Sequence, residues 1–295
     1  MSVLVTGASG FIGGHLLEAL KSAAQSVSLR DPGWPKTIAR HRPSAIIHLA
    51  GYAHGRGSEE RIQKVNVCGT KALAEEAVRC GVKRFIFLST IKVNGEATHY
   101  GCPFTPSDLP APQDPYGISK HEAEVGLREI ARTTGMQVVI IRPTLVYGKG
   151  ARGNFKSLIK LVARGLPLPL GSIHNLRSFV GIDNLVDFIV TCLEHPAAAN
   201  ETFMVSDGED LSTPDLTRRM AHAMNRPARL LPVPVWALKA GALLLGKSDA
   251  VQRLCGNLQV DISKARSLLG WVPPVSVEEG LRRAVGGGGG VVIGD

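Results

Sequence analysis

The sequence predicts a doubly wound α/β protein, a parallel sheet with helices on both faces, carrying a smaller lobe toward its C-terminal end. Three observations predict it. Short β-branched runs alternate with amphipathic stretches through the first half of the chain. Those runs are almost continuously apolar, as strands buried on both faces are. A glycine-rich turn joins the first run to the first amphipathic stretch, which is where such sheets place a phosphate-binding loop.

The elements follow in order. "VLVT" leads into "FIGGHLLEALK", and "AIIHLA" is followed by "RIQKVNVCGTKALAEEAVRC". "RFIFLS" is a third buried strand, and the helix "YGISKHEAEVGLREIART" precedes the strand "QVVIIRP". Together they assign a dinucleotide-binding domain to residues 1–148. Past "YGKGARGN" the pattern loosens. "NFKSLIKLVARG" reads as a helix, "RSFVGIDNLVDFIVTCLEH" as strand then helix, "ETFMVSD" as a strand, and "TPDLTRRMAHAMNRP" as a helix with a Thr cap. Residues 149–284 form mainly a substrate-binding lobe, with a return to the first domain around 178–205. "GGGGG" makes 285–295 a flexible tail.

Composition excludes several classes. The chain has 295 residues, 44% hydrophobic and 20% charged, which suits a soluble globular protein. A net charge of +9 invites nucleic acid. The Lys and Arg residues are scattered, however, with few aromatics beside them, so an anionic small molecule fits better than nucleic acid. Five cysteines without a CxxC spacing read as reduced thiols of a cytoplasmic protein, neither a disulfide frame nor a zinc site. There is no HExxH and no secretory leader. "VWALKAGALLLG" (235–246) is too short to span a bilayer and carries Lys239, so no membrane insertion is expected; it reads as a packed or surface-lying helix.

Two motifs carry chemistry. "VTGASGFIGG" places Gly7, Gly10 and Gly13 between strand and helix, with Phe11 and Ile12 in the first helical turn. Glycine there permits a tight turn and lets a pyrophosphate approach free N–H groups at the helix's positive end. "DPYGISK" opens a helix with Asp114 as cap and Pro115 at its first position. Tyr116 and Lys120 then share a face, and the lysine's charge favours the phenolate of its neighbour.

With a GxxGxxG turn and a later YxxxK, the chain resembles the extended short-chain dehydrogenase/reductase superfamily, in its NAD-dependent epimerase/dehydratase branch. "VTGASGFIGGHL", "IIHLAG", "NVCGTKALAEEA", "FIFLSTIKVNGE", "PYGISKHEAE", "IIRPTLVYGKG", "RSFVGIDNLVD" and "SKARSLLGW" carry the likeness over nearly the whole chain. The resemblance implies a Rossmann-like domain with NAD or NADP as cofactor. It implies that Tyr116 exchanges a proton with a sugar oxygen, that Thr90 hydrogen-bonds the same oxygen, and that Lys120 also holds the nicotinamide ribose. It assigns Gly7, Gly10, Phe11, Ile12, Gly13, Leu49, Ala50, Gly51, Asn66 and Pro143 to the cofactor. Arg177 implies a grip on a substrate diphosphate, with Arg253 and Asn154 as further candidates there. Ser89 and His48 read as strand-end filler and core histidine.

Two departures matter. Asp31 stands eighteen residues after Gly13, near the distance of a ribose-binding acid. Yet the stretch from Asp31 to Ala45 is too short for the usual strand and helix. Asp31 then lies near the adenine, and Arg30 beside it suits a 2′-phosphate, which leaves NAD and NADP both open. Leu145 replaces an amide found in many members of the family. The resemblance points first to a 4-keto-sugar reductase acting at C4 of a UDP-sugar, of the UDP-N-acetylquinovosamine type. The alternative is a UDP-hexose 4-epimerase, and a remote alternative is a catalytically silent dinucleotide-binding protein. A 4,6-dehydratase is disfavoured because Ile91-Lys92, not Asp-Glu, follows Thr90. A homodimer stays open.

Overall fold

A computed structural model of the chain describes residues 2–52, 58–151, 153–244, 246 and 248–286. Its main sheet has six parallel strands. Five are β1 (Val3–Thr6), β2 (Ala24–Val27), β3 (Ala45–His48), β4 (Arg84–Leu88) and β5 (Gln137–Pro143). After β6 (Leu145–Tyr147) and β7 (Arg177–Gly181), β8 (Thr202–Val205) completes the order β2-β1-β3-β4-β5-β8. The short strand β9 (Asp210–Leu211) forms a second sheet with β7 and β6.

Helices α1 (Phe11–Leu20) and α2 (Trp34–His41) make the first crossovers. From β2 the chain returns through α2 alone to β3 on the far side of β1. The shortening foreseen between Asp31 and Ala45 is therefore the loss of one strand–helix unit, and it leaves β2 as the sheet edge. Because β1 sits between β2 and β3, their C-terminal ends open a crevice at the switch point where such sheets bind ligands.

Helix α3 (Glu59–Ile62) runs through a π-helical stretch, Gln63–Cys68, into α4 (Gly69–Arg79). Helix α5 (Pro115–Thr134) packs beside it. One face of the sheet buries Leu4, Ile46, Phe85, Phe87 and Ile140 against Leu73 and Leu127 of α4 and α5. The other face buries Val5, Ile47 and Ile141 under Leu185, Phe188 and Ile189 of α7 (Ile182–Glu194), the helix that follows α6 (Asn154–Ala163). Each such aliphatic or aromatic side chain contributes about 1.5–3 kcal/mol by leaving water.

Past β9 the chain adds α8 (Thr213–Ala223), α9 (Val235–Leu244), α10 (Ser248–Cys255), α11 (Ser263–Leu269), which packs on β8 of the main sheet, and α12 (Val277–Gly286). Two expectations change here. The cap of α8 is Ser212, whose hydroxyl accepts from Asp215 N at 3.1 Å, while Thr213 is buried and donates to Leu254 O. Helix α12 continues to Gly286 with Val285 packed on the lobe, so positions 285 and 286 are helix; residues 287–295 lie outside the described residues.

Candidate active site

The glycine turn is built by exclusion. Gly7 has φ +73°, a left-handed conformation, and a Cβ on it would stand 2.6 Å from Ala50 N. A Cβ on Gly13 would stand 2.3 Å from Gly7 O. Both positions therefore need glycine if the turn is to close. Gly10 N donates to Gly7 O at 2.9 Å and Gly10 caps α1 with no side chain. The N–H groups of Phe11, Ile12 and Gly13 are left without acceptors inside the helix. No acidic residue lies in that first turn, so the positive end of α1 is free for an anion.

Across the crevice, Leu49, Ala50 and Gly51 follow β3. Leu49 N donates to Thr6 O at 3.3 Å and Ala50 N to Thr6 Oγ1 at 3.2 Å, which holds this segment against the glycine turn. A Cβ on Gly51 would lie 3.5 Å from Asn66 Oδ1 and 3.9 Å from Lys120 Nζ. Gly7 and Gly13 let the turn close on its own backbone, which leaves the first N–H groups of α1 unpaired within the helix beside Gly51, an arrangement that fits a dinucleotide pyrophosphate.

Helix α5 brings the titratable pair to this site. Asp114 accepts from Gly117 N at 2.6 Å, the cap foreseen from "DPYG". Lys120 is buried, with its ammonium 3.8 Å from the centre of the Phe87 ring. Burial lowers its pKa to about 7, against a smaller upward pull from Glu124. Tyr116 is half-buried, and burial with Asp114 nearby pushes its phenol up to about 12. The expected depression of the phenol by Lys120 is thus not what this geometry gives. Desolvation acts on both groups and favours their neutral forms.

Thr90 follows β4, and its hydroxyl accepts from Lys92 N at 3.3 Å. Lys92 in turn bonds Glu96 at 2.8 Å and pairs with Asp114, the cap of α5. The turn that carries Thr90 is therefore ion-paired to the helix that carries Tyr116. Ser89 does more than fill the strand end. It donates to Glu124 Oε1 at 2.6 Å, and Glu124 is buried in a pair with Arg142 of β5. Arg142 also donates to Asn94 at 2.9 Å. Burial pushes the Glu124 carboxyl up, but Arg142, Ser89 and Arg128 outweigh it and hold it below its ordinary value.

Asn66 sits in the π-helical stretch and is fully engaged. It accepts from Tyr52 N at 2.7 Å and donates to Tyr52 O and, at 2.9 Å, to Ser119 Oγ. Ser119 donates to Tyr116 O. Asn66 thus braces the Gly51–Tyr52 segment against α5. His48 bonds Thr6 and Thr70, and burial lowers its pKa to about 3, so it is a neutral core histidine.

The remaining candidates lie on several separate elements. Arg30 and Asp31 are exposed just past β2; Asp31 accepts from Gly33 N at 2.8 Å. Pro143 is buried at the C-terminal end of β5, opposite Val205. Arg177 opens β7, donates to Gly256 O at 3.0 Å, and has its pKa lowered to about 10 by burial and then by Arg253. No carboxylate pairs with either arginine among the described residues. Segment Asn257–Val260 joins this region to the loop after Thr90, since Ser178 N bonds Leu258 O and Phe104 N bonds Gln259 O. Asn154 is the first residue of α6.

Sequence reasoning missed Lys92, Glu124 and Arg142. A signal existed for the last two: an acid on the buried face of the "YGISKHEAE" helix and a lone arginine in the apolar strand "QVVIIRP" need one another.

A crevice at the switch point, a glycine turn that only backbone can line, and a Tyr–Lys pair over the adjacent strand define a dinucleotide-dependent enzyme of the short-chain dehydrogenase/reductase type. Its family follows from the sequence as well: the profile of the NAD dependent epimerase/dehydratase family matches residues 3–206, and the chain belongs to that family. Its cofactor is NAD or NADP. The chain is 46% identical to a UDP-glucose 4-epimerase of Vibrio cholerae, over 96% of this chain and 94% of that one. It is 29% identical to an N-acetyl-α-D-glucosaminyl-diphospho-ditrans,octacis-undecaprenol 4-epimerase of Escherichia coli O157:H7, over the same shares. A solved UDP-glucose 4-epimerase with UDP-glucose from Thermotoga maritima superposes with a TM-score of 0.77 at 26% identity, covering 97% of this chain and 98% of that one.

Proposed function

We propose that the chain is a 4-epimerase of a UDP-linked hexose or N-acetylhexosamine. Identity of 46% to a UDP-glucose 4-epimerase over almost the full length carries this reading and favours it over the 4-keto-sugar reductase expected first. Reductase and epimerase use the same side chains, so the residues alone do not separate them.

Tyr116 takes the proton of the sugar 4-hydroxyl and later returns it, and Thr90 holds that oxygen by a hydrogen bond. Burial holds the Tyr116 phenol up, so its uptake of a proton requires the ammonium form of Lys120 to offset that desolvation. When bound, the nicotinamide supplies hydride removal and return at C4. The Glu124–Arg142–Ser89 network keeps Thr90 and Tyr116 in register by locking α5 to the ends of β4 and β5. Arg177 and Arg253, two guanidiniums with no carboxylate bonded to them among the described residues, suit the diphosphate. A diphosphate site recognises the bridge and not what lies beyond it, so a nucleoside and a lipid carrier both suit the pair.

The test is incubation of the purified protein with UDP-glucose or UDP-N-acetylglucosamine and no added dinucleotide, followed by chromatography of the products. Formation of the 4-epimer with cofactor retained supports the proposal. Turnover that requires stoichiometric NADH or NADPH and a 4-keto substrate identifies a reductase instead.

A further inference from the structure

Helix α9 presents its apolar side to solvent. Ala242 is its one buried residue among those described, while Trp236 and Leu243 are each 73% exposed and Leu244 is 88% exposed. Positions 236, 240, 243 and 244 fall on one face of a helix, and Lys239 borders it. Leu231, shortly before α9, is 48% exposed. A surface helix ordinarily turns such a stripe inward, and an outward stripe of this kind marks an interface.

Charge identifies the partner. Residues 216–248 hold six Lys and Arg and no Asp or Glu. Arg218 and Arg219 are paired with Asp215 and Glu209. Arg226, Arg229 and Lys239 are exposed and have no ion pair among the described residues. A two-fold contact between copies would press this stripe against a second segment with the same excess of positive charge. An anionic bilayer surface instead accepts a Trp/Leu stripe at the level of its headgroups and cations beside it.

We infer that α9 seats the chain on an anionic phospholipid surface as an interfacial helix. It lies on the bilayer and does not cross it; no described helix is long and apolar enough to span a membrane. The helix packs on α10, which carries Arg253 in its last turn. The inference stands on the exposed stripe and its charge, independently of the sugar chemistry.

Flotation of the full chain with phosphatidylcholine vesicles, with and without phosphatidylglycerol and at low and high salt, tests it. Binding should appear with the phosphatidylglycerol vesicles and weaken with salt. Trp236 emission should shift to the blue, a shift that Trp236→Phe removes. Lys239→Ala should weaken partitioning roughly fivefold, from about 1 kcal/mol per basic residue near the surface. Leu243→Ser with Leu244→Ser should weaken it at least about tenfold, with an unchanged circular dichroism melt showing that the variant folds. Absence of flotation at low salt overturns the inference. So does flotation indifferent to the Leu243/Leu244 change, or a concentration-dependent dimer that the same change dissolves.

Discussion

The ammonium of Lys120 lies 3.8 Å from the ring centre of Phe87, in a site where burial brings its pKa down to about 7. The ring face returns part of the lost hydration, yet the downward shift says that the folded protein still binds this proton more weakly than the unfolded chain does. Because the folded value is below the unfolded one, the lysine destabilises the fold fully below about pH 7. That cost is relieved as pH rises from 7 toward 10.5.

Lys120→Met should therefore raise the melting temperature at pH 7 while abolishing turnover. Each kcal/mol regained corresponds to about 2–4 °C in a domain of this size, and a thioether over Phe87 keeps a favourable contact. The gap between variant and wild type should narrow as pH is raised toward 10. Thermal melts across that range check the sign; a gap that widens with pH contradicts the assignment.

Arg142→Met should leave Glu124 buried without its main partner. Breaking such a pair costs about 3–5 kcal/mol, which lowers the melting temperature by roughly 6–20 °C. Replacing Glu124 by Leu in the same chain should restore most of it, since a buried pair can be exchanged for apolar groups at little net cost. Calorimetry of the single and double variants separates a coupled pair from two independent losses.

Gly13→Ala forces a methyl to 2.3 Å from Gly7 O, so the turn must open. Overpacking of this kind costs about 1–3 kcal/mol, and the loss should appear as roughly 5- to 150-fold weaker dinucleotide binding. Titration of NADH fluorescence measures it, with Gly14→Ala, where a Cβ meets nothing within 4 Å, as the matched control.

Arg177→Ala should raise KM and leave kcat nearly unchanged, because a grip on the diphosphate acts on ground state and transition state alike. A charge-assisted hydrogen bond contributes about 1.5–3 kcal/mol, or roughly 10- to 150-fold in KM. Arg177→Lys should recover only part, for want of the bidentate fork. An unaltered KM in Arg177→Ala ends the assignment.

The sheet, the glycine turn and the Tyr116–Lys120 pair were legible because each is written in contiguous residues: a buried strand in four apolar letters, a turn in three glycines, a shared helical face in a spacing of four. What escaped the sequence is held between distant segments. Ser89 looked like filler because its partner Glu124 is 35 positions away and Arg142 lies 18 beyond that. Lys92 looked like a departure from a dehydratase pattern, and only folding sets it against Asp114. The phenol's upward shift was missed for a related reason: spacing reports that Lys120 is near Tyr116, but not that both are desolvated together. The cap of α8 fell one residue early because "STPD" offers two hydroxyls, and burial decides which one stays outside.

The central claim is that Tyr116 moves the proton at the sugar's C4 oxygen. Its most direct test is the rate of UDP-sugar interconversion by Tyr116→Phe, measured alongside the dinucleotide the variant retains. General acid–base catalysis is worth about 10²–10⁴-fold, so the rate should fall by at least that range with cofactor content unchanged. A variant that keeps its cofactor and more than about a tenth of the activity contradicts the account.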